Sequence, residues 1–86
     1  LAPFKVLVLK SKEPVHQVLF SVSKRNFKKA VHRNLIKRRL REAYRRNKAS
    51  LPQSPALQIA YIYTAKEILD FHPIEQKIKE TIKRLQ

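Results

Sequence analysis

One segment of the chain has to carry a dense positive charge and also bury one of its faces. Between residues 30 and 47, a stripe of mostly apolar positions recurs with the helical period: Ile36, Leu40, Ala43, Tyr44 and Asn47. Arginine and lysine fill most of the other positions. The spacing predicts an amphipathic helix whose stripe packs on a core. Asn34, Arg38, Arg41 and Arg45 are predicted to lie on the opposite, outward side.

Two short alternating runs ahead of this helix predict strands. Residues 4–9 place Phe4, Val6 and Val8 on one face, and residues 15–23 form a second β-prone run after a turn at residues 11–14. Because the two runs are so close in sequence, we expect them to form an antiparallel pair. The polar residues 24–29 are predicted to be a loop.

The chain after the helix predicts one more strand and one more helix. Pro52 and Pro55, with serines between and before them, are expected to end the first helix and form a loop. Residues 56–63 alternate with Leu57, Ile59, Tyr61 and Tyr63 on one face. Pro73 suits a first helical position. A second helical stripe then runs to the end: Ile74, Ile78, Ile82 and Leu85.

The predicted order is therefore β-β-α-β-α in a single domain, residues 1–86, since 86 residues hold at most one. This is an α+β chain with a small sheet of three or more strands and a C-terminal helix. The second strand, the long helix and the third strand form a β-α-β crossover, so those two strands are candidates for parallel pairing. Such crossovers are nearly always right-handed.

The positive charge is concentrated rather than spread. The net charge is +14, and residues 24–48 contain twelve basic residues against the single acid Glu42. Solvated helix faces usually mix signs, and like charges three or four residues apart repel. Arg38, Arg41 and Arg45 form such a ladder. The pattern favours a surface that binds a polyanion.

Nucleic acid is favoured over other anionic partners. The guanidinium fork matches phosphate oxygens and can stack on bases. A membrane surface fits poorly, because the apolar stripe of the helix is needed for the domain core. Phe27, inside the basic loop, has two interpretations: an exposed ring that stacks on a base, or an anchor of the loop.

Catalytic and metal-binding patterns are not evident in the sequence. There is no cysteine, which excludes disulfides and Cys-based metal sites and suits a cytoplasmic protein. No apolar run approaches the ~20 residues of a membrane span. The acidic residues are scattered, and His16, His32 and His72 are expected to be structural or surface residues.

A longer motif carries a family resemblance. Residues 20–25 (FSVSKR) and 30–45 (AVHRNLIKRRLREAYR) resemble the signature of the protein subunit of bacterial ribonuclease P, S-V-S-K-[KR] followed by A-V-x-R-N-x-x-K-R-x-x-R-E-[AG]-[FY]-R. The match fixes both residue identity and spacing over about 26 residues. A generic basic helix need not show this register.

The resemblance implies a function and a fold. Family members accompany a catalytic RNA, ribonuclease P RNA, that removes the 5′ leader from precursor tRNA and itself holds the catalytic Mg²⁺. The protein docks on that RNA through the arginine-rich helix and the preceding loop, and an open face of its sheet contacts the leader. The fold is an α/β sandwich with a left-handed β-α-β crossover. Cytoplasmic location follows, and neither a membrane nor a protein partner is expected.

The resemblance also assigns roles to residues. The RNA-binding positions that it implies, together with neighbouring basic residues, are Lys24, Arg25, Lys28, Lys29, Arg33, Asn34, Lys37, Arg38, Arg41 and Arg45. Its packing positions fall on Ala30, Val31, Ile36, Leu40, Ala43 and Tyr44. Glu42 is expected to form a local ion pair with Arg38 or Arg45. No residue is expected to be catalytic or to bind a metal.

The sequence departs from the family pattern in two places. Its loop at residues 24–29 is one residue longer and lacks the usual glycine. The helix that usually precedes the first strand is missing and position 1 is not methionine, so we expect an N-terminally shortened chain. Lys5 and Leu7 are weak candidates for the leader cleft. Two alternatives remain: a structured-RNA-binding protein with no role in cleavage, and a protein that binds DNA or a membrane surface.

Overall fold

The computed structural model describes residues 4–51 and 56–85, and it has the predicted α+β order. The elements are β1 (Phe4–Lys10), β2 (Gln17–Val22), α1 (Ala30–Asn47), a single 3₁₀ turn (Lys48–Ser50), β3 (Leu57–Tyr63) and α2 (Phe71–Arg84). The predicted helix at residues 30–47 is confirmed at both ends. The predicted loop around Pro52 and Pro55 lies outside the described residues.

The three strands form one mixed sheet with β3 in the centre, in the order β1-β3-β2. β2 and β3 are parallel, which confirms the prediction from the crossover. The predicted β1–β2 pair is wrong, because β3 lies between those strands and pairs antiparallel with β1. Buried and more exposed residues alternate most regularly along β3. Because this strand is central, its buried residues can contact both neighbouring strands. A bond from Ser11 N to Ala56 O (3.0 Å) extends the β1–β3 ladder.

One face of the sheet carries three rows of side chains that run across the strands. From one end to the other the rows are Phe4–Tyr63–Val22, Val6–Tyr61–Phe20 and Val8–Ile59–Val18. Both helices cover this face, and the predicted stripes are the parts of α1 and α2 that become buried. The helical contribution to the core is Ile36, Leu40, Ala43, Ile74, Ile78 and Ile82.

Helix α2 begins two residues earlier than Pro73 predicts. Asp70 is the N-cap and Phe71 the first helical residue, so Pro73 occupies the third position. Proline is tolerated there because the first-turn N–H groups have no intrahelical acceptor. A hydrogen bond between the Tyr61 hydroxyl and Thr81 Oγ1 (3.1 Å) ties the helix to the sheet.

A polar junction fixes α1 against α2. Glu75 is buried between the helices and accepts a hydrogen bond from Asn47 Nδ2 at 3.2 Å. Arg46 Nε lies 3.5 Å from Glu75 Oε2, and its guanidinium stands 5.4 Å from the centroid of the Phe71 ring. A carboxylate that is nearly removed from water needs such partners, so this contact sets how the two helices meet.

The tyrosines of the core predict a loss of stability at alkaline pH. Burial raises the pKa of Tyr61 and of Tyr63. The unfolded chain therefore loses these protons first. Stability from this source is fully present below the unfolded pKa of about 10 and is lost as pH rises through the higher folded pKa, by at most about 1.4 kcal/mol per pH unit for each tyrosine between its two pKa values.

Denaturant unfolding at about pH 8 and about pH 11 measures this loss, and a Tyr61→Phe/Tyr63→Phe variant is the control. The variant should lose clearly less stability over the same interval, because it lacks the two hydroxyl groups that titrate. Equal losses would contradict the assignment.

Candidate nucleic-acid interface

The basic loop between β2 and α1 is built around a buried phenylalanine. Phe27 N donates to Ser23 O (3.1 Å) and closes a turn, and Arg25 N donates to Ser23 Oγ (3.1 Å). The Phe27 ring is 6% exposed and lies 5.9 Å from the Tyr63 ring. Phe27 is therefore the loop anchor, and the alternative of an exposed stacking ring is wrong.

Anchoring the centre of the loop leaves its charged residues in solvent. Lys24, Arg25, Lys28 and Lys29 are all exposed. Lys29 is also the N-cap of α1 and makes no side-chain capping bond. The first-turn N–H groups and the positive end of the helix dipole therefore add to the same positive field.

Arg33 has a structural contact that its place in the motif does not reveal. Its Nη1 donates to Phe27 O at 2.7 Å and to Lys28 O at 2.9 Å. The side chain is half-buried and ties the loop to the first turn of the helix. Its predicted contact with RNA stays a prediction.

Removing this tie should cost stability. Arg33→Ala deletes two charge-assisted hydrogen bonds, one of them partly buried, and we expect a loss of about 1–2 kcal/mol in the free energy of unfolding. Asn34→Ala, at the exposed neighbouring position, should change it by less than about 0.5 kcal/mol. Denaturant titration measures both. Equal values for the two variants would show that the bonds to Phe27 and Lys28 do not hold the loop.

The outward face of α1 carries cations that the protein itself does not neutralise. Asn34, Arg38 and Arg41 are exposed, and Lys37 is half-buried beside them. Within residues 4–51 and 56–85, neither Arg38 nor Arg41 has an ion-pair partner. These side chains are available to an anionic ligand.

The predicted ion pair of Glu42 is confirmed, with Arg45 as its partner. Arg45 Nε donates to Glu42 Oε1 at 2.9 Å, and a second bond joins Arg45 Nη2 to Oε2. This hydrogen bonding, with the nearby positive charge of Arg45 and Arg46, holds the pKa of the Glu42 carboxyl below its usual value. Both side chains are exposed, so the pair contributes little to folding.

Two other arginines of α1 bind groups of the protein itself, although Arg46 remains exposed. Arg39 Nη1 donates to Leu69 O, thirty residues away, and Arg46 belongs to the junction with Glu75 and Phe71. Their guanidinium groups already have partners within the protein, so the outward face carries fewer free cations than the count of basic residues indicates.

Two of the packing positions implied by the resemblance are wrong. Ala30 and Val31 are exposed, Val31 by 67% of its surface. Val31 precedes Ile36 by five residues, which places it about 140° around the helix from the buried stripe. The remaining packing positions, from Ile36 to Tyr44, are buried or half-buried.

The other face of the sheet has no helix on it in the described part of the chain. Leu7, Leu9 and Leu19 are exposed there, in register with Ala60 and Gln58 of β3, and Lys5 stands at one end. This open face contains both cleft candidates, Lys5 and Leu7, and it lies opposite the face that α1 covers.

The histidines and acids form no metal site among the described residues, where no three potential ligands cluster. His16 Nδ1 accepts a hydrogen bond from Leu57 N at 2.9 Å, which is a structural role. No helix in the described part of the chain has the length and apolarity to cross a membrane.

Comparison with known proteins gives one consistent result. The family described as "Ribonuclease P" matches residues 2–86. The "Ribonuclease P protein component" of Chlorobium phaeobacteroides is 38% identical over 90 residues, which cover 91% of this chain and 62% of the relative. That of Porphyromonas gingivalis is 37% identical over 75 residues, 79% of this chain and 53% of the relative. The chain thus spans a little over half the length of these relatives.

A solved structure agrees with the fold. The RNase P protein from Thermotoga maritima superposes with a TM-score of 0.82 at 30% sequence identity. The superposition covers 99% of this chain and 79% of that one.

Proposed function

Because the chain belongs to the ribonuclease P protein family, we propose that it is the RNA-binding subunit of a bacterial ribonuclease P and assists removal of the 5′ leader from precursor tRNA. The partner in this proposal is the catalytic ribonuclease P RNA. The site of action is the bacterial cytoplasm. We propose no protein partner and no membrane.

The observation that carries the proposal is the set of outward cations of α1. Arg38 and Arg41 project from a helix, at the register of the family motif, and neither has an ion-pair partner among residues 4–51 and 56–85. Lys24, Arg25, Lys28 and Lys29 continue the surface beyond the N-terminus of the helix. From Lys29 to Lys48 the surface extends roughly 28 Å along the axis, enough for several phosphates of a folded RNA.

In this proposal the chemistry resides in the RNA. The described residues offer no cluster of carboxylates or histidines that fits a Mg²⁺ ion. As the family resemblance implies, we assign the catalytic Mg²⁺ to the RNA partner and no catalytic residue to this chain. The protein contributes positive charge, which offsets the phosphate repulsion that opposes folding of the RNA.

The open sheet face is the proposed contact for the precursor tRNA leader. It presents exposed apolar side chains around Leu7 with Lys5 at its end. Apolar surface for bases beside a cation for phosphates is what a single strand requires. This face and the outward face of α1 point in different directions, so RNA subunit and leader can bind together.

The alternative is a structured-RNA-binding protein without a role in cleavage. Equilibrium binding separates the two. The chain should bind bacterial ribonuclease P RNA at least tenfold more tightly than an unrelated folded RNA of equal length, and more tightly still than duplex DNA or anionic vesicles, all at one salt concentration. Equal affinity for both RNAs would favour the alternative.

A further inference from the structure

A groove lies between the free edge of the sheet and α1. β2 is an edge strand, and the volume between it and α1 is about 1070 Å³. This exceeds the ~300–1,000 Å³ typical of small-ligand pockets. Its floor is apolar and aromatic, with Val18, Phe20 and Tyr44, and its rim is basic, with Lys37, Arg41 and Lys48. We call it the edge groove.

The aromatic floor is the unusual part of the edge groove. Phe20 and Tyr61 are cross-strand partners, and their rings stack with centroids 5.7 Å apart and planes 9° apart. Tyr44 meets Phe20 edge-on from α1, at 6.2 Å and 68°. No strand of the described chain lies beyond β2, and the half-buried Phe20 side chain lines the groove. The stack therefore ends in a flat aromatic surface that a further ring can extend.

The positive charge of the rim indicates that the ligand carries negative charge. The acidic residue in the lining, Glu42, is already paired with Arg45. Lys37, Arg41 and Lys48 have no ion-pair partner in the part of the chain that the structure describes. A ligand suited to this site combines a planar ring with nearby negative charge, and a nucleotide meets both requirements.

We propose that the edge groove receives an unpaired nucleotide of the RNA partner, with its base on Phe20 and its phosphates against Lys37, Arg41 and Lys48. The proposal rests on the RNA-binding function proposed above and adds the kind of RNA recognised at this place. A base inside a duplex is already stacked on both sides and cannot reach Phe20, so the groove selects single-stranded or bulged RNA.

A tryptophan reporter tests the contact directly. The sequence contains no tryptophan, so Phe20→Trp introduces a single indole that preserves an aromatic face. Oligoadenylate should quench the indole fluorescence to saturation, and duplex RNA of the same length should quench it several-fold less. Phe71→Trp is the matched control, because Phe71 packs under Arg46 outside the groove and its indole should respond weakly to both RNAs.

Removing the ring tests the energetics. Phe20→Leu keeps apolar volume but deletes the stacking surface, and it should weaken oligoadenylate binding by about 5- to 100-fold, the usual range for one base–aromatic stack. Circular dichroism establishes that the variant is folded. Should Phe20→Leu be unfolded, the Phe20→Trp reporter alone decides.

Three outcomes would overturn the edge groove as a base-binding site. One is equal quenching of the Phe20→Trp fluorescence by duplex and by single-stranded RNA. Another is binding of oligoadenylate to the Phe20→Trp variant with full affinity but without quenching of its fluorescence. The third is equal quenching by polyglutamate, which would make the groove a site for acidic peptides. These titrations use neither ribonuclease P RNA nor precursor tRNA. If cleavage is stimulated but quenching fails, only the groove is rejected, and if quenching occurs without stimulation, only the proposed function is rejected.

Discussion

Replacing Arg38 and Arg41 together by alanine is expected to weaken binding of ribonuclease P RNA by about 100-fold near physiological salt. Both side chains are exposed and have no ion-pair partner in the described part of the chain, so each can donate charge-assisted bonds to a phosphate. Two such contacts at about 1.4 kcal/mol each correspond to two factors of ten. The fold should persist, because neither residue belongs to the buried stripe.

The salt dependence of affinity identifies the cause of that loss. The logarithm of the association constant falls linearly with the logarithm of the salt concentration. Each phosphate contact removed should make this negative slope shallower by about 0.7–0.9. Lys79→Ala/Lys83→Ala is the matched control, because it removes the same charge from exposed positions of α2. An equal loss of affinity in the control would show that net charge, and not the outward face of α1, determines binding.

Replacing Leu40 by alanine is expected to remove a large part of the stability of the fold. Leu40 is fully buried in the middle of α1 and belongs to the hydrophobic core. Leucine-to-alanine changes at such sites cost about 2–5 kcal/mol. The total free energy of unfolding of an 86-residue chain is roughly 4–13 kcal/mol. A loss in the middle of the range for leucine-to-alanine changes is therefore severe.

Thermal unfolding followed by circular dichroism measures this loss. We expect Tm to fall by roughly 20 °C, since 1 kcal/mol corresponds to about 4–8 °C in a domain of this size. Leu19→Ala is the control at a site that is 62% exposed on the open sheet face, and its Tm should move by only a few degrees. Similar shifts for both variants would contradict the position of the core between the helices and the sheet.

The helices were predictable because their signal is local. The stripe from Ile36 to Asn47 has the period of the helix that it forms, and the bounds of α1 agree with the prediction. Strand order was not predictable in the same way. Nearness in sequence favoured a β1–β2 pair, but the sheet places β3 between them. The central position depends on which strand can pack its buried side chains against a strand on either side. No short segment of the sequence encodes this.

The outward placement of the candidate RNA-binding residues was predictable in outline, but the direction of each long side chain was not. The helical period alone places Arg38 and Arg41 outward. Arg33 and Arg39 are equally basic in sequence, but they reach carbonyls that only the folded chain brings near, Leu69 O among them. The sequence did contain one signal for Phe27, since a single large apolar residue inside a polar loop is commonly its anchor.

Cleavage of precursor tRNA by a bacterial ribonuclease P RNA at low Mg²⁺, with and without this chain, tests the central claim most directly. We predict faster cleavage when the chain is present, stimulation that is largely lost in the Arg38→Ala/Arg41→Ala variant, and stimulation that is retained in the Lys79→Ala/Lys83→Ala control. A chain that binds this RNA tightly and leaves the rate of leader removal unchanged, both alone and extended at its N-terminus, would contradict the claim.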